Sequence, residues 1–399
     1  MKDKKIVVGV TAGIAAYKAA ELVRLLVGAG ARTRVAMTEN ATRFVTPLTF
    51  EALSGERVVW DMWDSGTSPM DHITWGQEAD LVIIAPATAD FIGKMAHGIG
   101  DDFLSTMIIA TSAKILVCPS MNDRMVLNPT VRENINRLKE RGYAILEPAE
   151  GALACGSEGP GRLQDPDIIL EQAGMLLGRQ DLSGMRVLVT AGPTIEPIDP
   201  VRYITNRSSG KMGFAIARKA RQRGATVTLV SGPTELRPPC GITLDRVKTT
   251  EEMREAVLTH SRQSDVIIKA AAVSDYRPRE RASQKIKKGD DHRSLEMVPN
   301  PDILAELGAL KDNSRWILVG FAAETEALMA NAEEKLRRKN LDLIVANDVS
   351  RIDSGFQADT NRVKIIFRDG QVEDLPLLTK EEVADHLLDR IKGLWKEAT

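Results

Sequence analysis

The sequence predicts an α/β protein of two Rossmann-like domains with mainly parallel sheets. Three observations carry this. Short apolar runs, stopped by proline or glycine, alternate with stretches whose apolar residues recur at helical spacing. The alternation pauses once, at a glycine-rich stretch and a polar linker, and then restarts. The 399 residues are too many for one ordinary domain and suit two or three.

Residues 6–10 form the first strand-like run, and 14–28 the first helix, ended by Gly28-Ala-Gly30. Residues 34–38 follow as a strand. The runs 81–85 and 115–118 are wholly apolar and stop at Pro86 and Pro119, as buried parallel strands do. Residues 151–161 are rich in small residues, 166–177 read as a helix, and 178–184 as a linker. The second half supplies strands at 187–190, 226–230, 266–270, 317–319, 343–346 and 363–367, with a helix at 214–223. Neither half repeats the other. The expected division is a domain over 1–177, the linker, and a domain over 185–399. Ligands of such sheets bind beyond the carboxyl ends of the strands. Chemistry is therefore to be sought after Val10, Thr38, Ala85 and Val117.

Bulk properties exclude several classes. A net charge of −2 offers no attraction to nucleic acid or an acidic membrane. Aromatics, at 4%, are too sparse for stacking on single strands. No apolar run reaches the roughly 18 residues of a membrane span, and the run after Lys5 is too short for a signal peptide. Cys118, Cys155 and Cys240 lie far apart, which argues for a reducing, cytoplasmic setting rather than a disulfide framework.

Each half opens on a strand, a small-residue loop and a helix start, a device that gathers free N–H groups and the positive helix end on an anion. In the first half the loop is Gly9-x-Thr11-x-Gly13-x-x-Ala16, which departs from the dinucleotide fingerprint. It is accompanied by Pro86-Ala-Thr-Ala89, Pro119-Ser-Met-Asn-Asp-Arg-Met125, Asp71-His-Ile-Thr-Trp75 and Ala154-Cys-Gly-Ser-Glu-Gly-Pro-Gly-Arg162. These motifs resemble those of the flavin-containing cysteine decarboxylases, over roughly residues 5–165. The resemblance implies FMN, held by Gly9, Thr11, Gly13, Thr38, Pro86, Ala87, Thr88 and Ser105. It implies that Asn122 holds the substrate carboxylate, that His72 assists oxidation and decarboxylation, and that Cys155 protonates the product. Val126 stands where the family often has an aromatic residue.

The second half carries a long motif, Thr190-Ala-Gly-Pro-Thr-Ile-Glu196 through Ser208-Ser-Gly-Lys-Met-Gly213. It is no Walker A loop, because no hydroxyl residue follows Lys211. With Ala270–Tyr276, the lysine run 285–288 and Asn300-Pro-Asp-Ile-Leu304, it resembles the bacterial phosphopantothenate–cysteine ligases over residues 186–390. That resemblance implies CTP as co-substrate with Mg²⁺, and an acyl-cytidylate intermediate. Lys285 would assist its formation and Asn206 would bind it. Ala271, Ala272, Asp275, Lys285, Pro301, Asp302, Ile303, Leu304, Phe321, Lys335 and Lys339 would surround CTP. No His/Cys cluster marks a metal site, and no metal ligand is assigned.

The two resemblances explain each other, since the product of the second domain is the substrate of the first. Together they imply that 4'-phosphopantothenate and cysteine are joined and the resulting phosphopantothenoylcysteine is decarboxylated to 4'-phosphopantetheine. They also imply a homo-oligomer, with flavin-domain trimers and ligase-domain dimers giving a dodecamer.

Overall fold

The computed structural model describes residues 1–63, 66, 68–152, 156, 158–288, 294–311, 316–324, 328–348 and 358–398, with only the backbone of 323, 324, 348, 397 and 398. The chain divides into two units, Met1–Gly178 and Arg179–Thr399.

The first unit is built on five parallel strands: β1 (Lys5–Val10), β2 (Arg32–Met37), β3 (Leu81–Ala87), β4 (Lys114–Pro119) and β5 (Ala144–Ile145). Their order is β2-β1-β3-β4-β5, all parallel. Strand residues alternate between two cores. Ile6, Val8, Val10, Leu81 and Ile83 pack with α1 (Ala16–Gly28), α2 (Pro47–Ser54) and α8 (Pro166–Leu177). Val7, Val82 and Ile84 face α3 (Asp71–Glu78), α4 (Ala89–His97), α5 (Phe103–Ala110) and α7 (Pro129–Glu140). A short α6 (Asp123–Leu127) and an antiparallel hairpin of β6 (Ala149–Ala152) and β7 (Glu158–Arg162) lie along the carboxyl edge.

The second unit has an eight-stranded sheet. Its strands are β8 (Arg186–Ala191), β11 (Thr226–Ser231), β12 (Thr243–Arg246), β13 (Val266–Lys269), β16 (Ile317–Glu324), β17 (Leu343–Asp348), β19 (Val363–Phe367) and β20 (Val372–Asp374). The order is β12-β11-β8-β13-β16-β17-β19-β20, parallel through β17 and antiparallel beyond it. One face packs on α9 (Lys211–Gln222) and α13 (Lys380–Ala398), the other on α10 (Thr250–Ser261), α11 (Ile303–Leu310) and α12 (Leu328–Arg338). Three small antiparallel pairs complete it: β9 (Ile195–Pro197) with β10 (Tyr203–Thr205), β14 (Tyr276–Pro278) with β15 (Met297–Pro299), and β18 (Thr360–Asn361) with β21 (Leu378–Thr379).

Several bounds differ from expectation: β3 runs through Pro86 to Ala87, β4 includes Pro119, and the strand read at 34–38 spans Arg32–Met37. α9 starts at Lys211, because Gly210 takes φ +76° and turns the chain directly into it. The strand read at 317–319 runs on to Glu324, its small residues pairing with β17 as far as Glu324 opposite Asp348. Among the described residues no helix is long and apolar enough to cross a membrane.

An ion cluster ties the start of the second unit to α13. Arg223, with a side chain only 3% exposed, gives two hydrogen bonds of 2.9 Å to Asp181 and lies 2.8 Å from Asp389. Lys392 meets the same Asp181 at 2.8 Å. Burial alone would raise the Asp181 carboxyl, but Arg223 and Lys392 hold it well below its ordinary value. Its stabilisation is therefore complete above about pH 4 and is lost as pH falls through the depressed folded value. Arg223→Ala takes the buried cation from Asp181 and Asp389, leaving them Lys392 and Arg179 respectively. In denaturant unfolding of the full chain it is expected to cost the second unit about 3–5 kcal/mol at neutral pH, and less in acid.

Candidate functional sites

Parallel strands put all their carboxyl ends at one edge, and the crevice opens where successive connections leave in opposite directions. In the first unit that point lies between β1 and β3. A cleft of about 880 Å³ opens there, lined by Thr11–Ala15, Thr38, Asn40, Thr88–Phe91, Ser120–Asn122, Ala152 and Gly161 among others. Two helices, α1 and α4, start at its rim. The N–H groups of Ala12, Gly13 and Ile14 have no partner among the described residues, so this end of α1 is ready for an anion. The Thr38 hydroxyl is buried, also without a partner among the described residues.

The predicted residues divide in three. Thr11, Gly13, Thr38, Thr88 and Asn122 come together in the cleft. The Thr11 hydroxyl, however, is used internally: it donates to the Pro86 carbonyl at 2.8 Å and accepts the Thr88 N–H at 3.0 Å, joining the ends of β1 and β3. Asn122 Oδ1 caps α6 by accepting the Arg124 N–H at 2.9 Å. Gly9, Pro86, Ala87 and Ser105 do not line the cleft. Gly9 lies within β1, where a Cβ would meet Ile84 Cδ1 at 2.6 Å, so its smallness serves sheet packing. Ser105 spends its hydroxyl on the start of α5, donating to Asp102 Oδ1 at 2.7 Å and accepting the Asp102 N–H at 3.1 Å. His72, at the start of α3, is outside the cleft of its own chain. Cys155 lies outside the described residues. The strands that flank it, β6 and β7, bring Ala152 and Gly161 to the cleft wall, and Met121 donates its N–H to the Gly161 carbonyl at 3.0 Å.

In the second unit the switch point lies between β8 and β13. A cleft of about 700 Å³ opens over it. Asn206, Ala271, Ala272, Asp275, Pro301, Asp302, Ile303, Leu304, Phe321, Lys335 and Lys339 all line it, although they come from five separate stretches of chain. Gly213 lets α9 press against β8, since a Cβ there would lie 2.5 Å from that of Ala191. Asn206 is oriented by a 2.9 Å bond from its Nδ2 to the Val273 carbonyl. Asp302 caps α11 and pairs with Lys339 at 2.9 Å. Lys285 is the exception: it is exposed and outside the cleft of its own chain. Its segment is anchored by Asp199, which accepts the Ile286 N–H at 3.1 Å, and by Arg202, which donates to the Ile286 carbonyl.

Lys269, Asn361 and Lys380 also line this cleft and were missed. Lys380 donates to the Ala358 carbonyl, and its pKa is lowered by burial and by Lys211 against the pull of Asp359. A signal for Lys269 exists in the sequence: a lysine ends the otherwise apolar run Val266-Ile-Ile-Lys269.

A buried polar network holds the cleft's loops together. Glu196 Oε1 accepts the Thr250 N–H at 3.0 Å and its hydroxyl at 2.6 Å. The Thr250 hydroxyl also meets Thr194 at 3.1 Å and receives Asn300 Nδ2 at 3.2 Å. Thr194 Oγ1 accepts the Ser274 N–H at 3.0 Å. Thr250 is fully buried, so Thr250→Val keeps the volume and removes the hydroxyl that Glu196, Thr194 and Asn300 all meet. It is expected to cost about 1–3 kcal/mol in denaturant unfolding.

The Flavoprotein family model matches residues 1–177, and that of the DNA/pantothenate metabolism flavoprotein C-terminal domain matches 182–394. Over 394 residues, 98% of each chain, the sequence is 48% identical to the coenzyme A biosynthesis bifunctional protein CoaBC of Vibrio cholerae. Over 402 residues, all of this chain and 98% of the other, it is 48% identical to the protein of the same name from Escherichia coli K12. A solved C-terminal domain of a CoaBC protein is 45% identical, with a TM-score of 0.48, covering 55% of this chain and 99% of that one.

Proposed function

This chain belongs to the family of coenzyme A biosynthesis bifunctional proteins, and on that premise we propose how its two clefts divide the work. The protein is an enzyme with phosphopantothenate–cysteine ligase and phosphopantothenoylcysteine decarboxylase activities. The ligase reaction belongs to the cleft of the second unit and the decarboxylation to that of the first. The observation carrying this is the convergence of Asn206, Asp275, Asp302, Phe321, Lys335 and Lys339 on one crevice.

In the second unit the carboxylate of 4'-phosphopantothenate attacks the α-phosphorus of CTP, and pyrophosphate leaves. The cysteine amine then attacks the acyl carbon, loses a proton and expels CMP. Lys335 and Lys339 supply positive charge to the bound CTP, and Asn206 binds the acyl-cytidylate. Among the described residues no group of three or more His, Cys, Asp or Glu stands together. The Mg²⁺ would accordingly arrive bound to the triphosphate rather than to a protein cage.

In the first unit, the N–H groups of Ala12–Ile14 and the Thr38 hydroxyl suit the phosphate and polar edge of FMN. Bound FMN supplies reversible two-electron oxidation of the substrate thiol. Asn122 orients the carboxylate that is lost as carbon dioxide. His72 assists that loss, and Cys155 returns a proton to the enethiolate.

His72 and Lys285 both stand outside their own chain's clefts. This supports sites completed by a neighbouring copy, through flavin-unit trimers and ligase-unit dimers in a dodecamer.

Purified protein given 4'-phosphopantothenate, cysteine and CTP is expected to release pyrophosphate and then carbon dioxide, with ATP compared as nucleotide. Lys285→Gln should lose the first release yet still decarboxylate supplied phosphopantothenoylcysteine; His72→Asn should do the reverse. Absence of CTP-dependent pyrophosphate release from the wild-type protein would remove the ligase assignment. Mixing refolded His72→Asn and Asn122→Ala chains should restore part of the decarboxylation. No recovery in verified mixed oligomers would remove the shared-site arrangement.

A further inference from the structure

Lys269 ends β13 at the carboxyl edge of the second sheet and lines its cleft, yet is only 7% exposed. Its Nζ makes one contact of hydrogen-bonding kind among the described residues, to the Met253 sulfur at 3.9 Å. Three groups face it: that thioether from α10, the Asp302 carboxylate at the cap of α11, and the Lys339 ammonium just past α12. Asp302 is already paired with Lys339 at 2.9 Å. The strand neighbours offer nothing more. Gly320 has no side chain, and Thr190 Oγ1 already accepts the Ala271 N–H at 3.1 Å. An ammonium carries three donors, and buried donors in folded proteins are almost always matched. Among the described residues this ammonium has no oxygen or nitrogen acceptor, and Lys269 lines a cleft open to a ligand.

The surroundings say which part of a ligand. The loop at Ser208–Gly210 and the start of α9 form the anion device, on the face of the sheet shared with α13. Lys269 points to the other face, beside Ile303 and Leu304. A flat, weakly polar ring fits there better than a solvated triphosphate.

We propose that Lys269 is a base-recognising residue of this cleft, donating from its ammonium to the ring carbonyl oxygen of the bound pyrimidine nucleotide. This rests on the reading of the cleft as a CTP site. It also gives binding a pH dependence. Burial pushes the Lys269 pKa down to about 7, against the pull of Asp302 and with the push of Lys339. An acceptor held against the ammonium favours the charged form, so CTP binding takes up a proton. Affinity therefore falls as pH rises above about 7.

The test is calorimetric titration of the full-length protein with CTP and, at each pH separately, with inorganic tripolyphosphate, from about pH 7.5 to about 9, above the range of a phosphomonoester's second ionisation. Lys269→Met is expected to weaken CTP by about tenfold, to flatten its pH dependence and to leave tripolyphosphate unchanged. Removing a buried charge should also leave the melting temperature equal or higher. Lys269→Gln keeps a neutral donor; it should recover part of the affinity but none of the pH dependence, and it carries the test if the methionine variant fails to fold. Unchanged CTP affinity and pH dependence in both variants would overturn the proposal. So would equal losses for CTP and tripolyphosphate, which would make Lys269 a phosphate contact. A wild-type protein that binds no CTP would remove the nucleotide reading of the cleft, and this proposal with it.

Discussion

Everything in this protein depends on one property of parallel sheets: every strand ends at the same edge. The loops leaving that edge must part where the chain reverses its direction of winding, and the gap they leave cannot be filled by the fold itself. Two units of different sequence meet this constraint at β1/β3 and at β8/β13. Each gap is floored by strand ends and rimmed by helix starts, whose dipoles favour negative charge. Phosphate-bearing ligands suit both clefts for this reason.

The gap must also be held open in one shape, and polar bonds do this. In the first unit a single hydroxyl, that of Thr11, joins the ends of β1 and β3 by accepting one bond and donating another. In the second unit Glu196, Thr250, Thr194 and Asn300 tie three stretches of chain at the cleft. Such networks are costly when half satisfied, so each loop is confined to the position that completes its neighbours' bonds. The backbone around Asn206 and Asp275 is set in this way: Asn300 donates its N–H to the Asp275 carbonyl at 2.7 Å and its Nδ2 to that of Ser274 at 2.9 Å.

Much of this was legible in the chain. The apolar runs around residues 81–85 and 115–118 marked strands buried on both faces, and the helix read at 166–177 matches α8 residue for residue. In the ligase unit, all the nucleotide residues read from motifs except Lys285 line one cleft. Gly9 and Ser105, which do not line the cleft, are small residues, but a strand residue points into the sheet's own packing, and a serine at a helix start is claimed by its cap. Lys269 was passed over because a lysine after an apolar run reads as a strand end reaching for water.

Residue type and spacing by themselves determined the alternation of strand and helix, the division near residue 178, and the family to which each half belongs. These are local or short-range properties: hydrophobic period, turn chemistry and motif. Tertiary structure alone decided which hydroxyls remain for a ligand and which are consumed by caps and strand ends. It also decided that His72 and Lys285 stand apart from their own clefts, and that Lys269 is buried at the wall of the second cleft. Each of these depends on which distant segments meet at the carboxyl edge. A side chain's hydrogen-bond capacity is fixed by its type, but whether it is already spent depends on neighbours brought from elsewhere in the chain.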